Sequence, residues 1–397
     1  MKHLILLKTN QNIRILAIAQ FIVYFGALFS QIGVFTLLVQ LNAPTWVTAT
    51  SAMLAFLPGV LFAPLNGVIV EKNKPKNLLI GTISIELISV FLLIFVTSLN
   101  DLWLLFILIF SRLCVAMIYG QAEMSLMAKL LNQEDLKLAN EIYSINWSVS
   151  YTLGMASAGF FIHFFGGVKA AFLFDTFLLL IGILILLKLS LPNFVQKVEG
   201  HFFAMIKEGF YYILKNKIVL HLIILHAFIG FTAYETLVTL LAQHEYKEIL
   251  SAGLVMGFLN AVRALSLIIG PFILSRFLKD SVISFLYVGQ GLGILLWALT
   301  QFNFYISFIG LIGAGFFTTS LWSYTYTSIQ KHCDEKFYGR VLAYTDMVFL
   351  AFSAFISQFM GFLFEAKMSL MNITALLGIV FILAGLYWHI FYKKYLC

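Results

Sequence analysis

A pair of long apolar runs joined by a tight basic turn constrains this chain more than any other feature. Trp46 to Val70 contains no charged residue, Asn77 to Asn100 contains only Glu86, and the turn between them reads EKNKPK. About 20 apolar residues at 1.5 Å rise cross a hydrocarbon core of roughly 30 Å, so each run is long enough to span a bilayer. Lys72, Lys74 and Lys76 put the turn on the cytoplasmic side, where basic loops are retained. The sidedness of every other loop follows from that assignment.

Composition excludes a water-soluble core. The 397 residues are 61% hydrophobic and 11% charged, against about 25% charged in an ordinary soluble domain. At about 33 residues per span and loop, the chain has room for a dozen spans and for no large soluble module. An all-α integral membrane protein of 12 transmembrane helices is therefore expected, in two six-helix halves, residues 1–191 and 218–397. The segment 192–217 between them is the one long stretch that is not continuously apolar. Within it HFFAMIKEGFYYILK spaces its aromatic and aliphatic residues as an amphipathic helix would, on the inner membrane surface.

The basic residues support this layout. Expected outer loops hold Lys169, Lys247 and Lys367; expected inner loops hold Lys129, Lys137, Arg276, Lys279, Lys331, Lys336 and Arg340, besides the first turn, the linker and both ends. That asymmetry predicts both termini in the cytoplasm and an even number of spans in the cell (inner) membrane. The net charge of +7 is thus topological, and no nucleic-acid partner is expected. Cys114, Cys333 and Cys397 are odd in number and far apart, so neither a disulfide framework nor a metal site is expected, and no cofactor is implied. The N-terminal apolar stretch is too short before Lys8 for a cleaved leader, and Arg14 leads straight into a full span.

Ionisable groups inside a bilayer cost about 2.5–3.5 kcal/mol each on insertion scales, so they face a partner or a cavity. Arg112, Tyr119 and Glu123 in the fourth span fall on one helical stripe, a geometry suited to a proton or counter-ion relay, or, for Arg112 alone, to pairing for assembly. Glu235 in the seventh span, beside Tyr234, has no base within a turn and is a candidate proton carrier; paired with Arg263 of the eighth span it would be structural instead. The first span carries Tyr24 and Gln31, and the tenth alternates hydroxyls with aromatics through Trp322, Tyr324 and Tyr326, as an amphipathic pocket would.

The first basic turn resembles the signature loop of major facilitator superfamily transporters, with Gly67 at the glycine position, Glu71 as the acid, Lys72 as the base and Lys74 with Lys76 as the basic cluster. In that likeness the glycine permits close helix approach and the acid pairs in one conformation only. LANEIYS and YGRVLAY open the fifth and eleventh spans about 200 residues apart, as two parallel halves would. The resemblance implies gating roles for Gly67, Glu71, Lys72, Arg340 and Asp346, proton coupling through Arg112, and a central cavity lined by spans one, four, seven and ten. It places the third and sixth spans at the periphery of each half, and helix-packing roles are expected for Glu86 and Asp175, which lie in them. Span order, with AIAQFIVYFGALFSQIG, LAFLPGVLFAPLNGVIVEK, ANEIYSINWSVSYTLG and IKEGFYYILKNK, is similar to the drug:proton antiporter branch that includes macrolide efflux proteins.

The function expected is a proton-coupled exporter of a hydrophobic or amphipathic small molecule, working as a monomer in the lipid bilayer by alternating access. Transport of a physiological metabolite, siderophore or lipid is the alternative on the same scaffold. An integral membrane enzyme is disfavoured by the lack of HExxH, clustered His or Cys, or a phosphate-cradling loop. A non-transporting scaffold would need a soluble module that the chain lacks.

Overall fold

The computed structural model describes residues 2–192, 202–274 and 282–395, and every described regular element is helical. The loop with Arg276 and Lys279, and residues 193–201 of the linker, lie outside the described residues. Among the described residues, eleven helices are long and apolar enough to cross a membrane. Their outer surfaces are apolar: Phe285 is 70%, Leu299 67% and Ile390 68% exposed, while Gln20, Glu123, Asp175 and Gln290 are buried. Polar inside and apolar outside inverts the soluble pattern and is the arrangement a lipid solvent imposes.

By compactness the chain divides into two units, Met1–Leu41 with Leu61–Glu199, and Asn42–Val60 with Gly200–Cys397. In the first, α1 (Lys2–Thr9) leads through Asn10 into α2 (Gln11–Gln40), the Asn10 side chain accepting from Ile13 N at the helix start. The later part of α3 (Thr45–Lys72) follows, then α4 (Pro75–Leu92), which opens on a proline at its first position, where a missing N–H costs nothing. A capping box of Ser98 and Asp101 starts a 3-10 turn, Leu99–Asp101, that runs into α5 (Leu102–Leu130). Next come α6 (Gln133–Phe164), capped by Asn132, and α7 (Gly167–Leu186), turned by Gly166 and Gly167 at φ of +108° and +79°. Helix α2 packs against both α6 and α7, and α4 packs against α5 and α7. At 32 residues α6 is also long, but it is more polar than the eleven candidate spans.

The second unit holds α8 (Phe202–Lys215) and α9 (Lys217–Ala227), and then a broken stretch: a 3-10 turn Phe228–Thr232, the short α10 (Glu235–Leu240) and a π turn Leu241–Glu245. It continues through α11 (Ala252–Leu274), α12 (Ile283–Thr300), α13 (Phe304–Phe316), α14 (Thr318–His332), α15 (Tyr338–Glu365) and α16 (Leu370–Tyr395). Helix α12 is gripped between α13 and α16 by backbone-to-backbone approach: a Cβ on Gly293 would meet Gly313 O at 2.3 Å, and one on Gly291 would meet Gly378 O at 2.5 Å. Such contacts replace the hydrophobic effect that lipid does not supply between helices. Helix α8 lies on the start of α15, where Arg340 pairs with Glu208 at 2.8 Å and Tyr212 stacks on Phe337.

Two spans that read as continuous in the sequence are interrupted. The seventh breaks between α9 and α10, and the tenth between α13 and α14 at Phe317. In the seventh, neighbouring side chains take up the freed backbone: Arg263 Nη2 donates to Thr232 O at 2.8 Å. An orphan carbonyl at that depth is tolerated only when protein or water satisfies it.

Candidate functional site

In the first unit, α5 presents Arg112, Tyr119 and Glu123 along its buried stripe, and the three meet different surroundings. Arg112, 7% exposed, donates from Nε to Glu86 Oε1 of α4 at 3.3 Å and from Nη2 to Ala27 O of α2 at 2.5 Å, with Asp175 Oδ2 of α7 at 3.9 Å. Ser30 Oγ donates to the same Asp175 oxygen, while Asp175 Oδ1 is left without a partner. Glu86 and Asp175 are thus brought onto Arg112, and the cluster ties four helices together. Two carboxyls face one guanidinium.

Two turns along, the chemistry changes. Glu123 is 1% exposed, and among the described residues it forms no ion pair and its Oε2 accepts no hydrogen bond. Tyr24 of α2 and Tyr143 of α6 join hydroxyls at 2.8 Å beside Gly120, whose lack of a side chain makes room for both. Tyr119 meets Tyr24 edge to face, and its own hydroxyl is buried and unpartnered. Glu123 stands one turn beyond Tyr119 on the same face of α5. A carboxyl and a phenol, both buried and both open to a new bond, form a site that can accept a proton or a ligand donor. Gln31 on the same α2 is half-buried with no hydrogen bond among the described residues.

Sequence reasoning did not pick out Tyr143. Its signal is the polar stripe of α6, where Asn146 Nδ2 bonds Gln20 Oε1 at 3.0 Å and Gln20 Nε2 bonds Tyr143 O at 3.2 Å.

In the second unit the interrupted seventh span gathers the other candidates. Arg263 lies over the Tyr234 ring at 4.8 Å, and Tyr234 is fully buried, edge-on to Trp297 at 5.1 Å. Glu235 is the first residue of α10, and its Oε2 is buried with no hydrogen-bond partner. On α14, Trp322 stacks parallel to Tyr326 and meets Phe349 edge-on, and Tyr324 is half-buried. Asp346 of α15 accepts from Tyr326 Oη at 3.4 Å, and Arg340, one and a half turns earlier, is held by Glu208.

In the first basic turn, Lys72 and Lys74 are exposed. Lys76 reaches the end of α7, donating to Leu187 O at 2.7 Å and Leu189 O at 2.8 Å. A cation there satisfies helix-end carbonyls. Helix α3 runs through positions 67 and 71, but the surroundings of Gly67 and the Glu71 side chain lie outside the described residues.

Membrane-length helices that carry buried charged and hydroxyl clusters on interrupted spans define a multi-pass integral membrane protein. The family model described as Major Facilitator Superfamily matches residues 16–357, and the chain belongs to that superfamily. Among solved structures it is similar to the nucleoside transporter NupG, at TM-score 0.74 and 14% identity, covering 97% of this chain and 100% of that one. The POT family transporter PepTSo matches at TM-score 0.72 and 12% identity, with 97% and 98% covered. A bacterial homologue of the human lysosomal transporter Spinster, inward-facing and unoccupied, matches at 0.68 and 13%, with 98% of each chain covered. These likenesses show the fold. No curated protein matches the sequence.

Proposed function

We propose that this superfamily member is a proton-coupled secondary transporter that exports a hydrophobic or amphipathic small molecule. In this reading α6 supplies the twelfth span, since 32 residues reach about 48 Å at 1.5 Å each. The six-helix halves 1–191 and 218–397, joined by the linker 192–217, rock about a central cavity as a monomer in the cell membrane. Both termini are cytoplasmic. Tyr24, Gln31, Tyr119, Tyr234, Arg263, Trp322 and Tyr324 face the substrate path, and the 67–76 turn with Arg340 and Asp346 gates it.

One observation carries the reading: Glu123, 1% exposed in a membrane-spanning helix, has no ion pair among the described residues. Arg112 on the same stripe is held by Glu86, Asp175 and Ala27 O, whereas Glu123 has no ion pair among the described residues. A carboxyl kept without a partner at that depth is costly for stability alone and is explained by a proton that comes and goes. Glu235, with its unpartnered Oε2, is the corresponding group of the second unit. Arg112, engaged by Glu86, Asp175 and Ala27 O, then sets the arrangement of α2, α4, α5 and α7 within which Glu123 works.

The test is proton flux in liposomes reconstituted with the purified chain, under an imposed pH gradient, on addition of hydrophobic cations, macrolides and neutral amphiphiles. Compound-dependent flux in the native chain that falls at least tenfold in Glu123→Gln is the expected result. Flux unchanged in Glu123→Gln and Glu235→Gln together would refute the assignment. Flux with cell-extract metabolites and none with drugs would move the substrate to the physiological metabolite, siderophore or lipid class.

A further inference from the structure

His226, near the end of α9, is 0% exposed and stands outside every role assigned above. Its Nδ1 lies 2.7 Å from Thr325 Oγ1 of α14, and its Nε2 is buried with no partner. The Thr325 hydroxyl fixes which nitrogen bears the hydrogen. Thr325 Oγ1 also lies 2.7 Å from Leu321 O. Two oxygens at that distance repel unless a hydrogen sits between them, and the hydroxyl has only one to give. It goes to Leu321 O, so Thr325 can only accept from His226. Nδ1 is therefore the N–H of the neutral ring, and Nε2 is a bare acceptor.

The surroundings of that acceptor are aromatic. The Trp322 ring lies 4.6 Å from the imidazole, Tyr326 5.6 Å and Phe349 5.9 Å, centre to centre. All three are half-buried. Beyond Tyr326 stands another acceptor, Asp346, whose Oδ2 takes the Tyr326 hydroxyl at 3.4 Å and which forms no ion pair among the described residues. The box thus offers flat apolar walls, a bare nitrogen lone pair and a carboxylate. Among the described residues it offers no cation, and its one unspent donor is the Trp322 indole N–H.

We propose that the box of His226, Trp322, Tyr326 and Phe349 is a binding subsite for a planar aromatic group that carries an N–H or O–H donor and is not an anion, the donor bonding to His226 Nε2. An anion would find no positive partner and would face Asp346. A ring without a donor would leave Nε2 desolvated and unpaired, a loss that buried polar sites use to reject close analogues. The walls accept any flat ring by stacking, so the donor sets the discrimination. Thr325 is a positioning residue that acts through the histidine tautomer. The proposal rests on the transporter reading only in taking the ligand to be cargo.

The test uses two fluorescent, neutral, planar probes of one skeleton, 7-amino-4-methylcoumarin and its 7-dimethylamino counterpart, the second having no N–H. Binding to the purified full-length chain in nanodiscs is measured by equilibrium fluorescence. The amine should bind about tenfold more tightly than the dimethylamine. His226→Phe, which keeps a ring in the box, should abolish the preference. Thr325→Val, which frees the tautomer without touching the ligand, should reduce it severalfold and keeps the test decisive should His226→Phe not fold. Equal binding of the two probes to the native chain, binding of neither, or a preference that survives both substitutions would each overturn the proposal. Failure of the transport reading is seen separately: the preference would be present in nanodiscs while neither probe nor any other compound crosses reconstituted liposomes.

Discussion

Replacing Arg112 with Leu should destabilise the chain by about 3–5 kcal/mol, the cost of leaving formerly paired charges buried alone. Arg112 is 7% exposed, and its partners Glu86 and Asp175 are 2% and 0% exposed, so no water replaces the guanidinium. The loss removes the bonds to Glu86 Oε1 and Ala27 O and exposes two carboxyls to one another. Because the native cluster already holds two carboxyls against one cation, the acids should respond differently. Glu86→Gln relieves the excess and keeps an acceptor for Arg112, so it should change stability by no more than about 1 kcal/mol. The triple variant Arg112→Leu, Glu86→Gln, Asp175→Asn should recover at least half of the loss seen in Arg112→Leu, because nothing charged then remains buried. The assay is unfolding of the purified protein by SDS titration in mixed micelles, followed by far-ultraviolet circular dichroism. If Arg112→Leu stays within about 1 kcal/mol of the native chain, or the triple variant is no better than Arg112→Leu, the cluster is not the electrostatic tie described here.

The remaining predictions use the same preparation. Glu123→Gln, which loses no ion pair, should leave the unfolding free energy within about 1 kcal/mol while cutting coupled flux; a large loss of stability would mean that Glu123 has a structural partner. Gly293→Ala drives a Cβ to 2.3 Å from Gly313 O and should cost about 1–3 kcal/mol. Gly81→Ala, at a helical position with nothing within 4 Å, should instead stabilise by about 0.5–1 kcal/mol; equal effects from the two would remove close packing of α12 on α13 from the account. Lys76→Met should speed amide exchange at the end of α7 and cost about 1 kcal/mol, since both carbonyls it serves lose a donor. Arg340→Ala should cost less than about 1 kcal/mol, with an effect that shrinks in salt, because Glu208 is 63% exposed.

What the sequence made legible was demand, and what it hid was supply. An uninterrupted apolar run of 20 or more residues has one stable form in lipid, so the helices, the linker helix and the glycine turn at Gly166 and Gly167 could be read along the chain. The breaks in the seventh and tenth spans could not. No proline marks Phe228–Thr232 or Phe317, and the seventh break is sustained by Arg263, a residue of another helix. The ionisable groups follow the same rule. Each carboxyl in a span announces that it needs something, but Glu86, Asp175 and Glu123 look alike as letters. Folding gives the first two a share of Arg112 and leaves Glu123 without an ion pair among the described residues. His226 was one of several scattered histidines until Thr325 and three rings closed on it. Partner choice is a property of which helix faces meet, and that information is spread over the whole apolar sequence. The difference between a carboxyl that has been answered and one that has not separates an assembly element from a working group, and it makes Glu123 the first residue to neutralise in a flux assay.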